Sequence, residues 1–283
     1  MRIVPTLLLA CALAESAANA NAEIAITSDV VYGHKSGMAL TYDVFTPEEP
    51  NGLGLAFMMS GGWYSGWTAP ESFLAGARRD NNMFHQVLEQ GYTLYVVRHG
   101  STPRFKVPEA VADVRKALRH IHDHAGDFAV DPNQLGVFGG SAGGHLTLML
   151  AVGGGLEAPG DEEAGPEIGA AVSYFPPTMI SEFFHLTQNF PALDFDPELA
   201  DAVSPLLHAT GDDAPTLLVH GAKDELVPLE QSERMLAAFH DAGVPASLKV
   251  FPDAAHGFSG DQSQMAIDAL ISWFEKHLEA PQC

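Results

Sequence analysis

The sequence is poor in the features that mark several protein classes. Its 283 residues include only 2 cysteines, Cys11 and Cys283, too few for the disulfide framework that staples small secreted folds. Basic residues are scarce: 14 Lys and Arg stand against 36 Asp and Glu, a formal net charge of -22. Nucleic acids are held by clustered Lys and Arg, so this balance excludes a general polyanion-binding role and argues against a nucleic-acid partner. It fits a solvated, self-repelling surface and is not by itself evidence of a charged substrate. Beyond the N-terminus no segment approaches the roughly 20 apolar residues of a membrane span, and no internal repeat appears. What is present is 46% hydrophobic residues, enough for one large core in a single domain.

The first 22 residues stand apart. Arg2 precedes an apolar stretch from Ile3 to Ala14, and small residues follow, including Ala18-Asn19-Ala20 and Ala20-Asn21-Ala22. A charged start, an apolar run and small-residue triplets predict a secretory leader over 1–22, a mature start near Glu23 and an exported, periplasmic or extracellular, chain. The rivals are an N-terminal helix of the fold and a lipoprotein signal at Cys11, which lies unusually close to the start for lipidation. With the leader removed only Cys283 remains, so no intrachain disulfide is possible.

The densest local signal is Gly139-Gly140-Ser141-Ala142-Gly143-Gly144, between the β-rich run Gln134-Leu135-Gly136-Val137-Phe138 and the helical run His145-Leu146-Thr147-Leu148-Met149-Leu150. A phosphate loop needs Lys and Ser or Thr after Gly144, where His145 and Leu146 stand. A dinucleotide fingerprint needs glycines at i, i+2 and i+5, and residues 136–144 hold no such triple. Gly-x-Ser-x-Gly in a strand-turn-helix setting is instead a nucleophile elbow: small neighbours let the chain turn so tightly that the serine oxygen stands free and the next backbone N–H faces an oxyanion. The bland alternative is a turn with an ordinary serine.

A serine hydroxyl needs an imidazole to take its proton and a carboxylate to orient that imidazole. In this kind of fold they follow in the order Ser, Asp or Glu, His, each past a strand. The buried-strand pattern Thr216-Leu217-Leu218-Val219-His220 is followed by Asp224, the candidate acid, with Glu225 and Asp253 as rivals. The run Ser247-Leu248-Lys249-Val250-Phe251 is followed by His256, the candidate base. With 13 histidines in the chain, His256 counts only through order and placement together. His145 lies in the helix after the elbow, His220 precedes the acid, and His99 precedes the serine; Asp212 and Asp213 read as a polar turn. Upstream, the strand Leu53–Met59 runs into Ser60-Gly61-Gly62-Trp63-Tyr64, where paired glycines let amides approach a substrate carbonyl. The bland reading there is a strand-exit turn.

With these motifs the chain resembles the α/β-hydrolase superfamily, from about Tyr32 to Leu278. Within it, the chain is similar to the esterases related to hormone-sensitive lipase and to the bacterial acetylxylan and feruloyl esterase-like (BD-FAE) group. The matches are the elbow, His220-Gly221-Ala222-Lys223-Asp224 with Val227-Pro228, His256-Gly257-Phe258, and Val97-Arg98 to Pro108 with Asp113 leading into a helix. The resemblance implies a serine esterase with Ser141, Asp224 and His256 as catalytic residues, the amides of Gly61, Gly62 and Ala142 as the oxyanion hole, and no cofactor. The substrate it implies is a small-molecule or carbohydrate-linked acyl ester. One departure stands out: the family's His-Gly-Gly-Gly-Trp loop is here Met59-Ser60-Gly61-Gly62-Trp63. The bracing histidine is missing, and Ser60 is the residue whose hydroxyl offers a substitute. The rival functions are a prolyl-oligopeptidase-like peptidase, for which no residues remain to build a gating domain, and a non-catalytic binding protein on the same scaffold.

The order of strands and helices predicts an α/β fold with a mostly parallel eight-stranded sheet, helices on both faces and a short cap insertion at 176–215. Strands are expected near 29–32, 40–45, 53–59, 93–98, 134–138, 168–175, 216–220 and 247–251, and helices near 82–90, 108–124, 142–152, 229–242 and 262–278. The acidic, Gly-rich stretch 153–169 reads as a flexible connection. In the insertion, Phe183, Phe184, Phe190 and Phe195 either line an acyl pocket or fasten the insertion to the core. Trp63, Tyr64 and Trp67 flank the glycine loop and are the candidate substrate-binding rings, able to stack on a sugar or aryl group. His120, His122 and His124 imitate a metal cluster, but no Glu follows the first as a metalloprotease helix requires, and histidines near a helix C-terminus suit the helix dipole; no metal is expected.

Overall fold

The computed structural model describes residues 23–153 and 166–279; residues 1–22, where a leader is expected, and most of the acidic 153–169 stretch lie outside them. The strands are β1 (Ile24–Lys35), β2 (Met38–Pro47), β3 (Gly54–Met58), β4 (Thr93–Val97), β5 (Leu135–Gly140), β6 (Ala170–Tyr174), β7 (Thr216–Gly221) and β8 (Ala246–Phe251). They form one 8-stranded sheet in the order β1-β2-β4-β3-β5-β6-β7-β8. β2 is antiparallel to β1 and to β4, and all other pairings are parallel. β4, β6 and β7 are buried along their whole length, as strands covered on both faces must be.

The helices are α1 (Pro70–Asp80), α2 (Met83–Glu89), α3 (Val107–Asp123), α4 (Ala142–Ala151), α5 (Glu230–Ala242) and α6 (Asp261–His277). α3 and α4 cover one face, where Val114, Ile121 and Leu146 pack on Tyr42, Val97 and Val137. α1, α2 and α6 belong to the other, where Leu74, Val87 and Phe274 join Phe45, Leu94 and Phe138. The buried residues of α3 include Val107, Ala110, Val111, Val114, Leu118 and Ile121, the spacing of a helix with one apolar stripe. Its start is fixed by the Glu109 carboxylate, which accepts from the Lys106 N–H at 3.0 Å. α1 has no counterpart among the expected helices. Pro70 at its start, Glu71 in its first turn and Arg78 and Arg79 in its last are helix signals, but only Pro70, Leu74 and Ala77 are buried and Gly76 sits inside it, so the stripe is faint.

The sheet order reverses at β3. The connection from β3 leads through α1 and α2 on one face, and that from the adjacent β5 leads through α4 on the other, so the chain parts at the carboxyl ends of these two strands. Such a switch point opens a crevice where open α/β sheets bind ligands. The glycine loop leaves β3 there, and Ser141 leaves β5 beside it. The 40 or so residues between β6 and β7 form a series of short 3-10 turns from Ile180 to Leu207, tied to α5 by Thr178 and Gln231 at 2.8 to 3.0 Å.

At the crevice the backbones touch: a Cβ built on Gly143 of α4 would lie 2.4 Å from the Met58 carbonyl oxygen at the end of β3. Gly143→Ala is therefore expected to destabilise the fold by roughly 1–3 kcal/mol, the usual cost of overpacking, and to lower Tm by roughly 2–4 °C per kcal/mol at this size. Thermal unfolding reads this directly; an unchanged Tm would mean that β3 and α4 part without cost.

Candidate active site

Ser141 is the single residue between β5 and α4, with φ 55° and ψ -121°. A non-glycine residue at positive φ is uncommon, and such backbone costs of order 1–3 kcal/mol, which the surroundings must offset. They do so by hydrogen bonds: the Ser141 N–H donates to the Tyr174 carbonyl at 2.9 Å, and the Ser141 carbonyl accepts from the His145 N–H at 2.9 Å. A Cβ at Gly139 would lie 2.5 Å from the Gly143 carbonyl oxygen, so the turn closes only without a side chain there.

The structure brings Ser141, His256 and Asp224 into one chain of hydrogen bonds. The Ser141 hydroxyl donates to His256 Nε2 at 2.9 Å, and His256 Nδ1–H donates to Asp224 Oδ2 at 2.7 Å. The other oxygen, Oδ1, accepts from the backbone N–H groups of Leu226 at 3.0 Å and Val227 at 2.9 Å. Behind the carboxylate, His220 Nε2 lies 3.4 Å from Oδ2 and donates to the Val227 carbonyl at 2.8 Å, while the Ser232 hydroxyl donates to its Nδ1 at 2.7 Å. Burial alone would raise the Asp224 pKa. The hydrogen bonds from His220 and His256, with that from the Val227 N–H, outweigh it and hold the carboxyl well below the usual carboxylate range. The rival acids are elsewhere: Asp253 is exposed and pairs with Lys223 at 2.6 Å, and Glu225 is exposed.

The glycine loop differs from expectation in one donor. The Gly61 N–H donates to the Tyr64 carbonyl at 3.0 Å, and the Tyr64 N–H returns a bond to Gly61 at 2.9 Å; the Gly61 amide is engaged in its own turn and is not free for an oxyanion. The amides of Gly62, Trp63 and Ala142 have no partner among the described residues, and all three residues line the cavity at Ser141. Gly62 has φ 55°, and a Cβ there would lie 2.7 Å from the Phe190 ring, so this position needs glycine on both counts.

Ser60 occupies the loop position where bracing is needed, and an imidazole reaches it from the loop after β4. The Ser60 hydroxyl donates to His99 Nε2 at 2.9 Å, and His99 Nδ1–H donates to the Gly100 carbonyl at 2.8 Å. Burial pushes the His99 pKa down, against the opposing pull of the Gly100 bond and Asp113, which keeps the ring neutral and Nε2 an acceptor. The Gly100 N–H in turn donates to Asp113 at 2.9 Å, whose other oxygen meets Lys35 at 2.8 Å. The Ser60 carbonyl accepts from the Gly143 N–H at 3.2 Å, so the loop is pinned to the elbow helix as well.

Trp63 is not a stacking platform. Its indole is 4% exposed and donates through Nε1 to His145 Nδ1 at 3.2 Å; His145 Nε2–H donates to the Val203 carbonyl of the insertion at 2.7 Å. Burial pushes the His145 pKa down to about 4, the Val203 bond opposing, so it serves as a neutral strut between loop, helix and insertion. Tyr64 and Trp67 are 59% and 63% exposed, but neither lines the cavity at Ser141. Of the insertion phenylalanines, Phe183 and Phe190 line that cavity, whereas Phe184 and Phe195 pack on each other at 5.3 Å. The cavity is tight, about 20 Å³. A larger one, about 690 Å³, lies toward α2 and α6 between Phe57, Phe84, Phe138, Tyr174, Phe175 and Phe258, with Ser60 and Gly140 in its wall. The Phe175 ring stands 4.6 Å from that of His256. The rings of His120 and His124 stack at 4.3 Å and His120 bonds Tyr42 at 2.9 Å. Among the described residues no group of His, Cys, Asp and Glu is placed to hold a metal ion.

A strand-elbow-helix serine, joined through histidine to a buried aspartate after β7, on a mostly parallel sheet with helices on both faces, defines the α/β-hydrolase fold. Within it the chain belongs to the BD-FAE family, whose profile matches residues 43–239. Among curated proteins it is 28% identical to esterase LipQ of Mycobacterium tuberculosis over 190 residues, 62% of this chain and 45% of that one. It is 24% identical to an acetylxylan esterase of Xylanibacter ruminicola over 245 residues, 82% of this chain and 44% of that one. The chain thus spans about half the length of the curated relatives it matches. A solved structure of Thermogutta terrifontis esterase 2 with butyrate bound superimposes with a TM-score of 0.72 at 25% identity, covering 93% of this chain and 96% of that one. No helix among the described residues is long and apolar enough to cross a membrane.

The depressed Asp224 pKa makes a prediction for acid stability. The unfolded chain takes up this proton first, near the ordinary aspartate value of about 3.9, so the stabilisation is full above that pH and is lost as pH falls through the lower folded pKa. Urea unfolding of wild type and Asp224→Asn between pH 7 and pH 2.5 should show a stability gap that is constant at neutral pH and narrows below about pH 4. A gap that widens in acid would mean that the carboxylate is not stabilised in the fold.

Proposed function

We propose that the chain is a carboxylic ester hydrolase working through an acyl-enzyme on Ser141, with short-chain or carbohydrate-linked acyl esters as substrates. The observation that carries this reading is the unbroken relay from Ser141 Oγ through His256 to Asp224, with free amides of Gly62 and Ala142 at the same cavity. His256 takes the Ser141 proton as Oγ attacks the ester carbonyl. The oxyanion is met by the Gly62 and Ala142 amides, with Trp63 as a further donor; one such donor is worth roughly 3 kcal/mol of barrier in comparable sites. His256 then protonates the departing alcohol. A water gives its proton to the same imidazole and releases the acid, and Ser141 recovers its hydrogen. Asp224 keeps the imidazole in the Nδ1–H tautomer and stabilises it when charged.

The names of the relatives support ester chemistry: an esterase, an acetylxylan esterase, and an esterase holding butyrate. The tight cavity between Phe183 and Phe190 supports a short acyl group, and the leaving group then has the larger aromatic-walled cavity beside Phe175 and His256. The pattern of residues 1–22 supports an exported enzyme. A peptidase with the same relay is the rival, and turnover of aminoacyl anilides in preference to aryl acetates would favour it.

Ser141→Ala should abolish hydrolysis of an aryl acetate while far-UV circular dichroism and Tm stay near wild type, and an organophosphonate should add one adduct, on Ser141. Residual turnover close to wild type, or an adduct on another residue, would remove the nucleophile from this reading. Acyl length gives a separate test. Each methylene that the cavity cannot house forfeits up to roughly 0.8 kcal/mol of burial, so kcat/KM should fall steeply from acetyl and butyryl to hexadecanoyl esters measured below their aggregation limit. Comparable values would mean that the cap turns open to admit long chains.

A further inference from the structure

A third concavity, about 620 Å³ and sharing no lining residue with the cavity at Ser141, lies beside the segments that follow β3 and β4. Its lining includes Asp29, Met38, Thr41, Trp67, His99 and Arg104. Four observations point to a ligand. Trp67 is 63% exposed, yet its indole is held: Nε1–H donates to Asp29 Oδ1 at 3.2 Å. Asp29 has φ 52° in the bulge that shifts the β1–β2 register between Thr27 and Val30, and such bulges aim side chains and are over-represented next to active sites; its carboxylate is also engaged by Arg98 at 3.0 Å. Arg104 has no carboxylate partner among the described residues, in a chain of net charge -22. Its contacts are a long bond to the Ser36 carbonyl at 3.4 Å and the Phe105 ring at 5.4 Å. Finally, the groove shares a wall with the catalytic loop: His99 bonds Ser60, and the Ser101 hydroxyl both donates to the Ser65 carbonyl at 2.7 Å and accepts from the Ser65 N–H at 2.8 Å.

We propose that this groove is a subsite for an acidic sugar ring, a hexuronosyl residue of the glycan that carries the ester. It rests on the reading of the chain as a hydrolase of carbohydrate-linked esters. A hexuronosyl ring combines the two things the groove offers partners for: an apolar C–H face that lies on a fixed indole, and a carboxylate that a guanidinium fork receives through charge-assisted hydrogen bonds. Asp29 shares Arg98 with the buried Asp43, so a negative charge remains at that end of the groove and the sugar carboxylate lies toward Arg104, away from Asp29. The groove shares no lining residue with the cavity at Ser141, which keeps the ring away from the reacting carbonyl, so the subsite holds the chain while the ester reaches Ser141.

Isothermal titration calorimetry with unesterified oligosaccharides tests this without turnover. Xylotriose bearing one glucuronosyl branch should bind the full chain about tenfold more tightly than neutral xylotetraose, the size of a hydrogen bond to a charged group. Arg104→Gln should erase that difference and leave the neutral ligand unaffected, whereas Trp67→Ala should weaken both. No binding, equal affinity for the two ligands, binding indifferent to both substitutions, or benzoate binding as tightly as the branched sugar would each overturn the proposal. Hydrolysis of a small aryl acetate by the wild-type chain reports the ester reading separately: its absence would sink that reading and leave the calorimetric result standing.

Discussion

Everything at the site depends on how closely the backbone of the elbow approaches the end of β3. Gly139, Gly143 and the positive φ of Ser141 let β5 turn into α4 within one residue, and the absence of a Cβ at Gly143 lets α4 sit against Met58 and Ser60. This contact places the Ala142 amide and the glycine loop at one cavity. A side chain at either glycine would push α4 outward and separate the nucleophile from its oxyanion donors. The strain at Ser141 is held by the Tyr174 carbonyl on β6, so three adjacent strands share in positioning one hydroxyl.

Around that contact the fold uses histidine as a strut more often than as a base. His99 ties Ser60 to β4 and, through Gly100 and Asp113, to α3. His145 ties Trp63 to the insertion, and His220 backs Asp224 against α5 through Ser232. Each lies buried with both ring nitrogens bonded, which is the condition for holding a polar group inside a core at little cost. An imidazole accepts on one nitrogen and donates on the other, so it bridges a hydroxyl or indole to a backbone carbonyl in a way that no aliphatic side chain does. The imidazole missing from the glycine loop itself is in effect supplied by the loop after β4.

The parts of the site that were legible in the sequence are those carried by local backbone chemistry. Gly-x-Ser-x-Gly after a strand, an acid and a histidine each just past a later strand, and alternating strand and helix patterns all encode short-range requirements. Seven of the eight strands and five of the six helices were accordingly legible to within two residues; β1 was expected only at 29–32 but runs Ile24–Lys35 because its length is set by pairing with β2, and α1 was missed because its apolar stripe is faint. Partner choice among surface-capable side chains was not legible. That Trp63 is buried while Tyr64 and Trp67 are exposed, and that Phe183 and Phe190 rather than Phe184 and Phe195 line the cavity, depend on partners distant in the chain, such as His145 for Trp63 and Gly62 for Phe190.

The sequence alone therefore determined the alternation of strands and helices, the elbow, and a serine, an acid and a histidine each placed just past a strand, because each of these is written in patterns of a few neighbouring residues. Only the tertiary structure decided which amides stay free, what braces Ser60, and which of Asp224, Glu225 and Asp253 meets His256. Those are questions of where a donor or acceptor finds its partner across the sheet. Hydrogen bonding acts over about 3 Å, and sequence separation carries no record of which groups come within it.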